Sequence, residues 1–317
     1  MIIVQVICPL LLLSLFGFFL IKRAWVSQVH ARYLSYAVFN LGLPALLFVS
    51  AAKAQFPQPV PWVFLGCYYG VVLALFLLTI KIARRYWGFS QGALGAFAMT
   101  GVYSNITIIG IPICAYGLGE AALVPLLMLI SIHNLVLFTL GLLAVQWQHL
   151  SFRRFGQSVW YIIKQLLQTP ITASLLLGLL CNLFGVELFP TLLQGLGWLG
   201  ELAIPLALVV LGMSLSQYQI QAKLAPALYL VILKMGIFPL LVALLVFICF
   251  ELDPLWSTTA VMAASLPVGI SCYGFAQRYM NEPKGEQVAA LVASSIVIST
   301  LLSVVSLSGF LVMAGLN

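Results

Sequence analysis

Ten apolar runs, separated by short polar breaks, organise the chain. They cover roughly residues 2–21, 33–52, 61–83, 92–116, 121–146, 159–184, 190–216, 224–250, 255–277 and 287–314. A helix needs ~20 predominantly apolar residues to cross a bilayer. The pattern therefore predicts an all-α polytopic membrane protein with ten transmembrane helices. The breaks are Lys22-Arg23, Gln55 to Pro61, Arg84-Arg85, His149 to Arg154, Gln217 to Lys223 and Asn281 to Glu286. One run carries an interruption of its own. Within Gly92 to Tyr116 lie Gly101, Ser104, Asn105, Thr107, Gly110 and Pro112. Proline lacks a backbone donor, and each backbone group left loose in hydrocarbon costs several kcal/mol. A broken helix survives at membrane depth only where protein or a polar cavity surrounds the break.

The two halves repeat. Pro9 and Pro170, Gly17 and Gly178, and Pro44 and Pro205 are each 161 apart. Asn40-Leu-Gly-Leu-Pro44 matches Glu201-Leu-Ala-Ile-Pro205 in spacing. Gly119-Glu120 and Gly285-Glu286 each open the fifth helix of their half, offset by 166. The expected units are residues 1–150 and 151–317, five helices each. Five is odd, so the second unit inserts upside down, an inverted-topology repeat. Helix nine then mirrors helix four, and it carries its own break, Ser265-Leu-Pro267-Val-Gly269-Ile-Ser271. Paired interrupted helices are the best sequence pointer to a solute site near the bilayer midplane. The register at the crossing stays open: an offset of 162 sets Asn105 opposite Pro267, and an offset of 166 does not.

Composition agrees with a membrane chain: 63% of the 317 residues are hydrophobic and 7% charged, against roughly 25% charged in soluble domains. The formal charge of +7 does not indicate a nucleic-acid partner, because the cations fall singly or in pairs between apolar runs. Twelve of the 14 Lys and Arg lie in odd-numbered loops, Lys53 lies in an even one, and Lys234 lies inside helix eight. By the positive-inside rule both termini face away from the cytoplasm, and the chain belongs in the plasma or inner membrane. Apolar Met1 to Ile21 lacks a basic leader and reads as a first spanning helix. The six cysteines are scattered without metal-type spacing and read as free thiols.

Several motifs together resemble the auxin efflux carrier family, in its short bacterial permease form. They are Gly101-x-x-Ser104-Asn105-x-x-x-x-Gly110-x-Pro112, Tyr116-Gly117-Leu-Gly119-Glu120, and His133-Asn134 in helix five. Pro205 with Leu211-Gly212-x-Ser214 in helix seven, Lys234 with Pro239 in helix eight, and Pro267 in helix nine add to the likeness. The resemblance implies a sodium/proton-antiporter-like fold in which broken helices 4 and 9 cross. It implies a transport domain of helices 3–5 and 8–10, and a scaffold of helices 1, 2, 6 and 7 that pairs two copies into a homodimer. It further implies elevator-type carriage of small organic anions, either malonate- or malate-like acids or auxin-like carboxylates.

Ser104 and Asn105 are the first candidates for solute contact, since hydroxyl and amide groups bond carboxylates and a half-helix N-terminus attracts anions. Gly110, Pro112, Pro267, Gly269 and Ser271 complete the expected crossing, with Asn134 a further lining residue. His133, Lys234, Glu201 and Asn40 are the candidates for coupling or charge compensation. Histidine titrates near neutrality, and an intramembrane charge is a functional hypothesis by default. Lys234 and Glu201 could pair, or Lys234 could offset an anionic solute. Tyr68, Tyr69, Tyr103, Tyr116 and Tyr273 could wall a pocket. No resident cofactor or metal is expected; coupling to H+ or Na+ is open. There is no Walker-type loop, so ATP is not the direct energy source. His133, Glu201 and Lys234 lie on separate helices without a nucleophile arrangement, which argues against an enzyme. A sodium/proton antiporter of the same fold and a non-transporting solute sensor remain as alternatives.

Overall fold

In the computed structural model, residues 2–53, 61–146, 164, 167, 170–217, 224–278, 281 and 284–313 are described. Regular structure among them is helical; the sole strand-like feature is one isolated bridge. The helices are α1 (Ile2–Lys22), α2 (Gln28–Ala37), α3 (Leu43–Ala52), α4 (Trp62–Tyr86), α5 (Gln91–Thr100), α6 (Ile111–Gly117) and α7 (Leu123–Gln146). There follow α8 (Pro170–Leu183), α9 (Pro190–Gln217), α10 (Leu224–Ile232), α11 (Phe238–Ala243), α12 (Pro254–Ser265), α13 (Ser271–Gln277) and α14 (Gly285–Met313). Among the described residues, six continuous helical stretches are long and apolar enough to span a membrane: Gln28–Ala52, Trp62–Tyr86, Leu123–Val145, Pro190–Met213, Ala225–Cys249 and Gly285–Gly309. The six cysteines are free thiols.

Three of these joins share one device. Wide π-turns at Val38–Gly42, Ile106–Gly110 and Leu233–Ile237 lead without a break into α3, α6 and α11. Each following helix has proline in its first turn: Pro44, Pro112 and Pro239. A proline ring clashes with the carbonyl four residues earlier and offers no N–H. That carbonyl belongs to Asn40, Ile108 or Met235, which lies inside the π-turn every time. The wider turn accommodates the ring and keeps the helix running. In α9, Pro205 sits inside continuous helix.

The chain divides into two compact units. One comprises Met1–Leu12, Phe56–Ile130 and Gln219–Asn317; the other comprises Leu13–Gln55 and Ser131–Tyr218. In the first, α5 and α12 are largely buried. Gly92 to Thr100 of α5 are all buried, as expected of a helix apolar all round. Both have built starts. Ser90 Oγ accepts the Ala93 N–H at 3.3 Å, and Asp253 Oδ1 accepts those of Leu255 and Trp256 at 3.0 and 3.1 Å. Side-chain acceptors of this kind satisfy donors that the helix itself leaves free.

The second unit is held by close backbone approach. A Cβ on Gly212 would overlap the Ser14 carbonyl, and one on Gly17 would overlap the Val209 carbonyl. On Gly200 it would stand 2.7 Å from Leu46 Cα. Small residues let helices pack tightly where lipid removes the hydrophobic drive between them. Gly212→Ala should therefore force α1 from α9 and cost about 1–3 kcal/mol, as overpacking does. Gly195→Ala, on the same helix but facing open space, should be neutral. Thermal unfolding of the detergent-purified protein reads both; equal melting temperatures for the two variants would contradict this account.

Candidate functional site

The crossing of two broken helices lies within the first unit. α5 ends at Gly101, and a helical path resumes at Ile106 through the π-turn into α6. α12 ends where Leu266 turns extended, with φ −63° and ψ 151°. Leu266 precedes Pro267, and a residue before proline is pushed out of the helical region. The helix resumes at Ser271. The two gaps meet as an antiparallel bridge between Ser104 and Val268. The Asn105 N–H donates to the Pro267 carbonyl at 2.9 Å, and the Gly269 N–H donates to the Tyr103 carbonyl at 3.1 Å. Each break thus supplies partners for the other, which buried backbone requires. The first break falls at Gly101 to Asn105 rather than at Pro112, which the preceding π-turn accommodates within a continuous helical path.

Side chains complete the crossing. Ser299 Oγ on α14 accepts the Val268 N–H at 3.0 Å and donates to the Ile296 carbonyl at 3.1 Å. Tyr68 Oη and Ser104 Oγ share a hydrogen bond of 3.3 Å. Tyr103 bonds Ser271. Gly269 has no room for a side chain, because a Cβ there would enter the Tyr103 ring. Gly110 faces the other break, its added Cβ lying 2.9 Å from Leu266 Cδ1.

Lys234 provides the charge. It is fully buried. Its ammonium donates to the carbonyls of Ala264 at 2.6 Å and Leu266 at 2.7 Å, and it stands 5.1 Å from the centroid of the Phe238 ring. The last carbonyls of a helix have no partner within it, and the helix dipole places partial negative charge there. The lysine answers both at the end of α12. Asn105 is 8% exposed. Its carbonyl accepts from Ile109 and Gly110 at 3.2 and 3.3 Å. Its side-chain amide makes no hydrogen bond among the described residues.

The crossing thus brings together Ser104, Asn105, Gly110, Pro267, Gly269, Ser271 and Lys234. The side chains of Pro112 and Tyr116 lie outside the described residues. His133 and Asn134 are buried on α7, at 3% and 8% exposure, and belong to the second unit with Asn40 and Glu201. Asn40 Nδ2 donates to the Tyr36 carbonyl at 3.0 Å. Glu201 is exposed on α9. The partners of Lys234 are main-chain carbonyls, not the glutamate that the sequence offered as one possibility.

A family model described as membrane transport protein matches residues 2–311. The chain belongs to this family, that of the auxin efflux carriers. It is similar to a "Putative malonate transporter" of Rhizobium meliloti (strain 1021), with 26% identity over 278 residues covering 86% of this chain and 84% of the relative. It is also similar to an "Uncharacterized transporter" of Methanothermobacter thermautotrophicus, with 27% identity over 312 residues covering 96% and 95%. Family and relatives make it a multi-pass membrane transporter rather than an enzyme.

Within this family member, Ser299 is a crossing residue that motif reading missed. Its signal was present: Ser295, Ser299 and Ser303 recur every four residues and are all fully buried on one helix. Lys234→Met should leave the Ala264 and Leu266 carbonyls bare. At about 1–3 kcal/mol for each unsatisfied group, the melting temperature should fall sharply. An unchanged melting temperature would mean that those carbonyls find other donors.

Proposed function

We propose that the protein is a secondary transporter of small organic anions, with the solute bound where the two breaks cross. The observation that carries this is the Asn105 side-chain amide, which has no hydrogen bond among the described residues beside the bridge. Electrostatics supports an anion. Two half-helices start at the crossing and two end there, so their partial charges of about 0.5 each roughly cancel. The buried Lys234 ammonium then leaves the crossing net positive. The name of one relative suggests short dicarboxylates such as malonate. With ten membrane passes in a sodium/proton-antiporter-like fold, both termini would face away from the cytoplasm of the plasma or inner membrane.

Two contact patterns support an inverted repeat of residues 1–150 and 151–317. Gly17 packs on Val209, and Gly178 packs on Phe48. An offset of 161 converts one contact into the other. At the crossing an offset of 164 exchanges Ser104 with Val268, and it exchanges the Asn105-to-Pro267 bond with the Gly269-to-Tyr103 bond. In this reading helices 3–5 and 8–10 form the moving transport domain, and helices 1, 2, 6 and 7 form the scaffold that pairs into the homodimer. Elevator motion would carry the crossing from one membrane face to the other. His133, next to Asn134, is the candidate for H+ coupling; Na+ remains the other coupling ion to test.

Malonate, malate, lactate and indole-3-acetate, each with and without sodium, should be screened for thermal stabilisation, since a ligand of the folded state raises the melting temperature by mass action. A dicarboxylate should do so, and Asn105→Ala should abolish the shift while the unliganded melting temperature holds. An undiminished shift in that variant would remove Asn105 from the site. In proteoliposomes, His133→Gln should flatten the pH dependence of dicarboxylate uptake; an unaltered profile would return His133 to packing.

A further inference from the structure

The second unit holds a cavity of about 420 Å3 that the transport reading does not use. Its wall comes from the end of α3, with Val49 and Lys53, and from the first half of α9, with Pro190, Gln194, Trp198 and Glu201. The α9 residues recur at helical spacing, so they share one face. Lys53 and Glu201 bring opposite charges to the same cavity, and among the described residues neither side chain enters an ion pair or a hydrogen bond. Beside them Trp198, Leu199 and Leu202 are 65%, 44% and 57% exposed, an apolar surface continuous with the polar one.

We propose that this cavity holds the headgroup of a zwitterionic phospholipid with a primary amine, a phosphatidylethanolamine, whose acyl chains lie along Leu199 and Leu202. A carboxylate within a membrane-spanning helix is costly unless it is paired. A simple cation would answer Glu201 but be repelled by Lys53, and a simple anion would do the reverse. A ligand with both charges, set a short chain apart, answers each without adding net charge. The phosphate meets Lys53 at the end of its helix, where loop and headgroup region coincide. The ammonium reaches inward to Glu201, with the face of Trp198 available to it as a cation–π partner. A primary ammonium has N–H donors for the carboxylate and for the Gln194 carbonyl; a choline headgroup has none. Trp198 suits this level, because tryptophan gathers at membrane interfaces with its ring in the apolar layer and its N–H in the polar one.

The test uses delipidated, purified full-length protein, supplied in separate arms with phosphatidylethanolamine, phosphatidylcholine, phosphatidylglycerol or soluble O-phosphoethanolamine. Native mass spectrometry reads retained lipid and oligomeric state, and thermal unfolding reads stabilisation. Phosphatidylethanolamine should be retained preferentially and raise the melting temperature. Glu201→Gln and Lys53→Gln should each weaken its retention at least about tenfold, the loss of one charged hydrogen bond, with unliganded melting temperatures unchanged. Equal retention of phosphatidylglycerol or phosphatidylcholine would overturn the proposal. So would an equal shift with O-phosphoethanolamine, which would make the ligand a soluble zwitterion. Variants that change the oligomeric state but not lipid retention would assign the face to a second copy of the chain.

Discussion

A single ammonium holds the crossing together. Two costly things meet at Lys234: a charge with no water, and a helix that stops in the middle of an apolar layer with carbonyls pointing at nothing. Either alone would cost several kcal/mol. Joined at 2.6 and 2.7 Å, each relieves the other. Because α12 can end at Ser265, Leu266 to Ile270 are free to run extended. Because they run extended, Val268 can pair with Ser104 and the Pro267 carbonyl can take the Asn105 N–H. The placing of Asn105 beside the bridge is the last link in this sequence of dependencies.

The charge that steadies the backbone also colours the space around it. A lysine whose partners are carbonyls has no carboxylate beside it to cancel its charge. Structural support and attraction for anions are then one property of one side chain. The aromatic neighbours fit the same scheme: Tyr68 fixes Ser104, Tyr103 fixes Ser271, and Phe238 lies against the ammonium. Each orients a polar group and keeps water from it.

Much of this was legible in the order of residues. Apolar runs gave the helical membrane class, and paired clusters of Ser, Asn, Gly and Pro gave both breaks and the residues at their crossing. What pattern reading could not give was the place of each break along its run. Pro112 drew attention, yet the π-turn before it accommodates a proline, and the gap opens at Gly101 instead. Nor could it choose a partner for Lys234, since main-chain carbonyls are present at every position and a lone glutamate is conspicuous. Ser299 escaped for a related reason: serine in an apolar helix ordinarily bonds its own backbone, and only the fold reveals that it also receives an N–H from another segment.

The π-turns ahead of Pro44, Pro112 and Pro239 set a condition on how such a chain can diverge. A π-turn is, in effect, an α-helix with one residue added. Removing that residue would rotate everything beyond it by about 100° around the helix axis. Past Leu233–Ile237 the rotation would swing Phe238 and the buried face of α11 toward lipid. Past Ile106–Gly110 it would turn α6 away from its present neighbours. The proline and the extra residue are therefore structurally coupled. Descendants of this chain can exchange side chains along these helices far more freely than they can change the helices' length.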